Sequence, residues 1–138
     1  MKTLIAVIAV SVFSNCFGQG SSDEIAVKEC LINYLDGRTY GDSARLTSAF
    51  HPSATMKYID FKTGEFKDTP ITEYLKASVG KKMDRKTRIV SFDIFETSAQ
   101  AKLEMDFGDF IVCDYLNLLK INGEWKIVSK VFSRKNKK

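Results

Sequence analysis

Between residues 87 and 133 the chain holds apolar-rich stretches (87–95, 99–107, 110–121 and 125–133) joined by links of only a few residues. Stretches this short, bounded by turn residues, read as three or four strands in antiparallel succession, because short links cannot carry a crossover to a parallel neighbour. Asn122-Gly123 is the strongest of the turn signals, since both positions tolerate the positive φ of a type I′ hairpin. A sheet of this kind must bury at least one face, so the rest of the chain has to cover it.

The first half supplies the cover. Ser21-Ser22-Asp23-Glu24 forms a cap with acidic first-turn residues, and Val27, Leu31, Tyr34 and Leu35 follow at helical spacing, which predicts a helix ending near Gly37. Gly41-Asp42-Ser43 restarts the chain, and Leu46, Ala49 and Phe50 give a short second helix stopped by His51-Pro52. Residues 54–61 turn to a β pattern, Thr63-Gly64-Glu65 makes a turn, and Pro70 opens a third helix with Ile71, Tyr74, Leu75 and Val79 on its apolar stripe. The layout is α+β, with helices packed on one face of a curved antiparallel sheet. Residues 110–121 place apolar side chains at both parities, which predicts that both faces of that strand are buried and hints at a homodimer through the outer sheet face.

The amino terminus reads as a secretory signal peptide over residues 1–18. Lys2 is the cationic start, residues 4–13 are the apolar run, and Cys16-Phe17-Gly18 ends in a small residue. The run is too short for a bilayer span, which needs about 20 residues. The expected product is an exported protein, periplasmic or secreted, that begins near Gln19, forms one domain over 19–133 and ends in a basic tail over 134–138. Acylation of Cys16 is the lipoprotein alternative.

The charge of +4 on 138 residues is matched by Arg134, Lys135, Lys137 and Lys138 alone, so the folded body is close to neutral. The other basic cluster, Lys81, Lys82, Arg85, Lys86 and Arg88, falls in a predicted loop without interleaved aromatics, which argues against nucleic-acid binding. No metal is expected, because the chain has one histidine and no carboxylate pairs at ligand spacing. Cys30 and Cys113 lie in apolar elements and read as buried free thiols rather than a disulfide.

Tyr34-Leu35-Asp36-Gly37, Gly41-Asp42, Leu46 through Phe50-His51-Pro52 and the closing Asn122-Gly123-Glu124-Trp125-Lys126-Ile127-Val128 resemble the nuclear transport factor 2-like superfamily. Those are cone-shaped α+β domains that include ketosteroid isomerase and the small polyketide cyclases. The chain looks most similar to the exported bacterial branch named for lumazine binding. The resemblance implies a deep pocket between helices and sheet and commonly a homodimer, and it implies no single reaction.

Aligned through Gly41-Asp42, Tyr34 falls where the isomerases carry an oxyanion-donating tyrosine, and their general-base aspartate falls on Tyr58. A tyrosine is a poor base at neutral pH, with a usual pKa of about 10. Asp114 interrupts an apolar strand, where ionisation is costly without a partner, so it is a candidate acid or base. The alternative is that it pairs with a strand neighbour such as Lys130 or faces solvent at an edge. His51 is either a helix-end charge or a proton donor at the pocket mouth. Tyr58, Tyr115, Asn117 and Trp125, with Tyr34, could line an aromatic pocket for a flat apolar or aromatic ligand, and core packing explains the same residues.

Three functions follow as expectations. The first is an exported small-molecule-binding protein; the second is a cofactor-free isomerase, cyclase or dehydratase using Asp114 or His51 with Tyr34; the third is a protein-interaction scaffold. A carboxylate or imidazole within hydrogen-bond reach of Tyr34 inside the cavity separates the second from the first.

Overall fold

A computed structural model describes residues 18–138, and side chains from residue 22 onward. The expected signal peptide and the acylation candidate Cys16 lie outside the described residues, apart from Gly18. Among the described residues no helix is long and apolar enough to cross a membrane.

Three helices and six strands follow in the order α1 (Gly18–Tyr40), α2 (Ser43–Ala49), β1 (Phe50–Ile59), β2 (Phe66–Pro70), α3 (Ile71–Ser78), β3 (Lys86–Phe95), β4 (Ser98–Asp106), β5 (Phe110–Ile121) and β6 (Glu124–Asn136). The strands form one curved, unclosed sheet in the order β2-β1-β6-β5-β4-β3. Pairings are antiparallel except β1 with β6, which run parallel, so the sheet is mixed. The helices contribute Val27, Leu31, Tyr34, Leu35, Leu46 and Ile71 to a core that the sheet completes with Leu103, Met105, Leu116, Leu118 and Ile127.

Several boundaries differ from the sequence reading, beginning with α1, which starts at Gly18, before the Ser21-Ser22-Asp23-Glu24 stretch expected to cap it. The first helix passes through Gly37 to Tyr40 instead of stopping there. A Cβ on Gly37 would lie 2.5 Å from the Leu46 nitrogen, so this glycine serves close approach of α2 rather than helix termination. The turn falls instead at Gly41, with φ +74°, and Asp42 caps α2 by accepting from Arg45 N at 3.0 Å.

Pro52 does not end a helix but sits inside β1, which begins at Phe50, and the register with β6 shifts between Phe50 and Thr55. That irregular stretch is where a residue lacking an N–H donor is tolerated. Residues 66–70 form β2, an edge strand paired with β1, where the sequence reading has only a turn and a helix start. At the other end, β6 runs to Asn136 and takes in part of the expected basic tail.

Strand β5 alternates in its middle. Asp114, Leu116 and Leu118 are buried, while Tyr115, Asn117 and Leu119 are exposed, so in the single chain one face of the strand is open. Asn122 and Gly123 take φ of 50° and 83° in the β5–β6 turn, as the hairpin signal requires.

Candidate functional site

Strand periodicity builds the site. Lys130, Phe132 and Arg134 alternate along β6 and so share one face, as do Met56 and Tyr58 on β1 and Val112 and Asp114 on β5. Pairing sets Met56 opposite Lys130, Tyr58 opposite Phe132, and Asp114 opposite Phe132. Tyr58 and Phe132 stack with centroids 4.5 Å apart. Helix α3 adds Tyr74, the end of α1 adds Arg38, the 79–85 link adds Met83 and Arg85, and the β4–β5 turn adds Phe107. Together these residues line a partly open cavity of about 360 Å³, within the range of small-ligand sites.

Beneath this cavity lie three buried polar groups. Tyr34 donates its hydroxyl to Asp114 Oδ2 at 2.6 Å and accepts from Lys130 Nζ at 2.6 Å. Lys130 Nζ also lies 2.9 Å from Asp114 Oδ2. Asp114 has no exposed surface and Lys130 is 5% exposed, so each charge depends on the other. Burial, and then the nearby Asp114 charge, push the Tyr34 hydroxyl well above its ordinary pKa of 10.0, so it stays protonated. The Lys130 ammonium lies 4.9, 5.0 and 5.3 Å from the ring centroids of Phe132, Tyr34 and Tyr74, a cage suited to a cation.

Of the three, Lys130 alone lines the cavity; Tyr34 and Asp114 stand behind it. An ammonium has three hydrogens, and two are committed to the groups behind. The third is available to an acceptor in the cavity. A carbonyl or enolate oxygen there would meet a donor already fixed in place, which is how a site stabilises developing negative charge. Asp114 Oδ1 is buried and accepts no hydrogen bond among the described residues.

The structure brings Tyr34 and Asp114 into direct contact and places Tyr58 in the cavity wall. It does not bring the other sequence candidates there. His51 lies at the start of β1, where Nδ1 shares a 2.7 Å contact with Ser53 Oγ. Tyr115 and Asn117 are on the opposite face of the sheet, and Asn117 donates to Ser129 Oγ at 2.8 Å. Trp125 is core, donating Nε1 to Asp23 at 3.1 Å, and Lys120 joins the same carboxylate at 2.7 Å. Those two bonds hold Asp23 below the usual carboxylate range.

Cys30 and Cys113 are both free, Cys30 buried and Cys113 half-buried. Burial raises the Cys30 thiol to about 11. No group of histidine, cysteine and carboxylate side chains suited to a metal occurs among the described residues.

Lys130 is the residue that sequence reasoning considered only as a possible partner for Asp114. The available signal is a pair of opposite charges on adjacent strands; parity hides Lys130, because Trp125 and Ile127 are the buried positions before it and the register shift at Val128 is what turns Lys130 to their face. Arg38, Arg85 and Arg134 also line the cavity and carried no such signal: one sits on a helix, one in a link and one in the expected tail.

A curved sheet covered by helices on one face, with a cavity between them, is the nuclear transport factor 2-like class of domain. Residues 22–133 match the family described as "Putative lumazine-binding", and the chain belongs to it. Among solved structures it is similar to an NTF2-like protein of unknown function from Shewanella baltica, with 27% identity, TM-score 0.74, and coverage of 85% of this chain and 97% of that one. Another such protein from Methylobacillus flagellatus matches at 28% identity and TM-score 0.73, covering 83% and 93%. A ketosteroid isomerase-like protein from Erwinia carotovora shares the fold at TM-score 0.66 and 11% identity, covering 88% and 100%. Aldolase FrzH from a Cladobotryum species is 30% identical over 117 residues, covering 81% of this chain and 91% of that protein.

Proposed function

We propose that the cavity between α1, α3 and the sheet binds a small, flat, partly apolar molecule whose oxygen accepts a hydrogen bond from Lys130. The observation that carries this is the position of Lys130 Nζ, held by Tyr34 and Asp114 at the floor of an aromatic-walled cavity. A buried charged pair contributes little to stability relative to apolar replacements, so its presence under a cavity favours a role in recognition. Membership of a family described by ligand binding supports the same reading.

A second reading, cofactor-free catalysis of the lyase or isomerase kind, is favoured by two observations. Asp114 lies within hydrogen-bond reach of Tyr34. A relative of 30% identity is described as an aldolase. In that reading Lys130 holds the oxygen of an enolate. Its pairing with Asp114 makes it a donor to that oxygen rather than a nucleophile, and Tyr34 and Asp114 position it.

We further propose export through the 1–18 segment and a homodimer through the outer sheet face, on the sequence pattern and on the exposed Tyr115, Leu119 and Val131. Native mass spectrometry of protein purified from its own host, with extraction of retained small molecules, tests the binding reading. A stoichiometric small-molecule adduct is the expected result; repeated isolation of bare protein that also takes up no ring-containing carbonyl compound contradicts it.

A further inference from the structure

Five arginines fall within the described residues, and they divide by location. Arg45 pairs with Asp36 at 3.1 Å, and Arg88 pairs with Glu104; both lie outside the cavity. Arg38, Arg85 and Arg134 line the cavity, and none of them has a carboxylate within ion-pair distance among the described residues.

Each of the three is nevertheless held in place by neutral groups. Arg38 donates Nη1 to the Lys81 carbonyl at 2.7 Å, and its guanidinium lies 5.9 Å from the Tyr74 ring centroid. Arg85 donates Nε to Thr39 Oγ1 and Nη2 to the Leu35 carbonyl, both at 3.1 Å. Arg134 donates Nε to Asn136 Oδ1 at 3.2 Å and lies 3.6 Å from the Phe110 centroid and 4.3 Å from that of Phe61. A guanidinium has five N–H donors, so several remain on each. One of them, Arg38 Nε, is buried without a partner, a costly state for a charged group unless a ligand relieves it.

The single carboxylate in the cavity wall does not neutralise them. Asp60 turns Oδ1 back on its own loop, accepting from Lys62 N at 2.8 Å and Thr63 N at 3.0 Å. Lys130 is already balanced by Asp114. The cavity is thus aromatic-walled with three fixed guanidiniums that make no ion pair among the described residues. Planar guanidiniums on aromatic faces match a carboxylate better than an ammonium would, because they offer two parallel N–H donors.

We infer that the ligand is an anion, a ring-bearing small molecule with a carboxylate that the Arg38, Arg85 and Arg134 group recognises while its ring meets the aromatic wall. This rests on the binding reading above and adds the charge class of the molecule. It also separates the roles of the cationic groups: the arginines read the carboxylate, and Lys130 reads a second oxygen.

The test is calorimetric titration of the purified full chain with 2-naphthoate and with its neutral amide, 2-naphthamide. Naphthoate is expected to bind at least about tenfold more tightly, as charged hydrogen bonds do relative to neutral ones, and to weaken with added salt. Arg38→Gln and Arg134→Gln should remove most of that preference, the ratio of the two affinities being the readout, and a circular-dichroism melt of each variant shows that it folds. Arg45→Gln changes net charge equally and should leave the preference intact. Equal binding of the two probes, or loss of the preference in Arg45→Gln as much as in Arg134→Gln, overturns the anion inference and leaves the binding reading standing. Saturable binding of neither probe overturns both.

Discussion

Lys130 and Asp114 meet diagonally across β5 and β6 with Nζ 2.9 Å from Oδ2, and Asp114 has no exposed surface. Removing one partner strands the other charge inside the protein. Lys130→Met should therefore destabilise by about 3–5 kcal/mol, whereas the triple change Tyr34→Phe, Asp114→Leu and Lys130→Met should recover much of that loss, since no buried polar group is left unpaired. Urea denaturation of both variants checks this. A triple variant as unstable as the single one would mean that packing rather than charge governs the site.

Tyr34 sets the alkaline limit of the fold. Its folded pKa is raised well above 10.0 by burial and by Asp114, so the protonated form belongs to the native state. The stabilisation is complete below the unfolded value and is lost as pH rises toward the folded one. Stability should fall above about pH 10, and the fall should be shallower in Tyr34→Phe. Chemical denaturation across that range decides; identical slopes would contradict the assignment.

Asp23 acts at the opposite end of the scale. Bonds from Lys120 and Trp125 lower its pKa below 3.8, so its stabilising effect is present above that value and is lost as pH falls through the lower, folded one. Asp23→Asn should flatten the acid limb of a melting-temperature profile below about pH 4. It should also loosen the start of α1 from the β5–β6 hairpin, read as faster amide exchange at Trp125.

Gly37 is a contact rather than a stop. Alanine there gains up to about 1 kcal/mol of helix propensity. Its Cβ would nevertheless meet the Leu46 backbone at 2.5 Å and force α2 away. The net effect of Gly37→Ala should be destabilising, by about 1–3 kcal/mol. A neutral or stabilising result would show that the two helices can separate freely.

The outer sheet face carries Tyr115 and Val131, each 49% exposed and opposite one another in register. Light scattering at micromolar concentration should give a dimer mass, and Tyr115→Lys should give a monomer that stays folded. A monomer mass for the unaltered chain would contradict this.

Much of this architecture is legible in the sequence because it rests on local signals. Asn122-Gly123 marks its turn, and Asp42 caps α2 as its residue type predicts. Strand β2 was not legible: Phe66 to Pro70 is an edge strand, half or fully exposed, without an apolar alternation to announce it. Gly37 misled because a glycine that ends a helix and one that admits a neighbouring helix look the same along one chain.

The site was legible as far as its buried carboxylate. Tyr34 and Asp114, eighty positions apart, are united by a hydrogen bond that only tertiary structure provides. Tyr115 and Asn117 differ from Asp114 by one and three positions, and strand alternation sends them to the other face; the parity was hidden by apolar residues on both sides. Lys130 looked like a counter-ion, which it is, but the cavity above it gives its remaining hydrogen a second task.

The most direct test of that task is a crystal structure of the protein with the molecule extracted from it. An oxygen of that molecule should lie about 3 Å from Lys130 Nζ, with its ring between Tyr58 and Tyr74. Density instead in the larger cleft of about 840 Å³ between the start of α1 and β3, beside Asp93 and Glu96, would contradict the assignment of Lys130 as the group that meets the ligand.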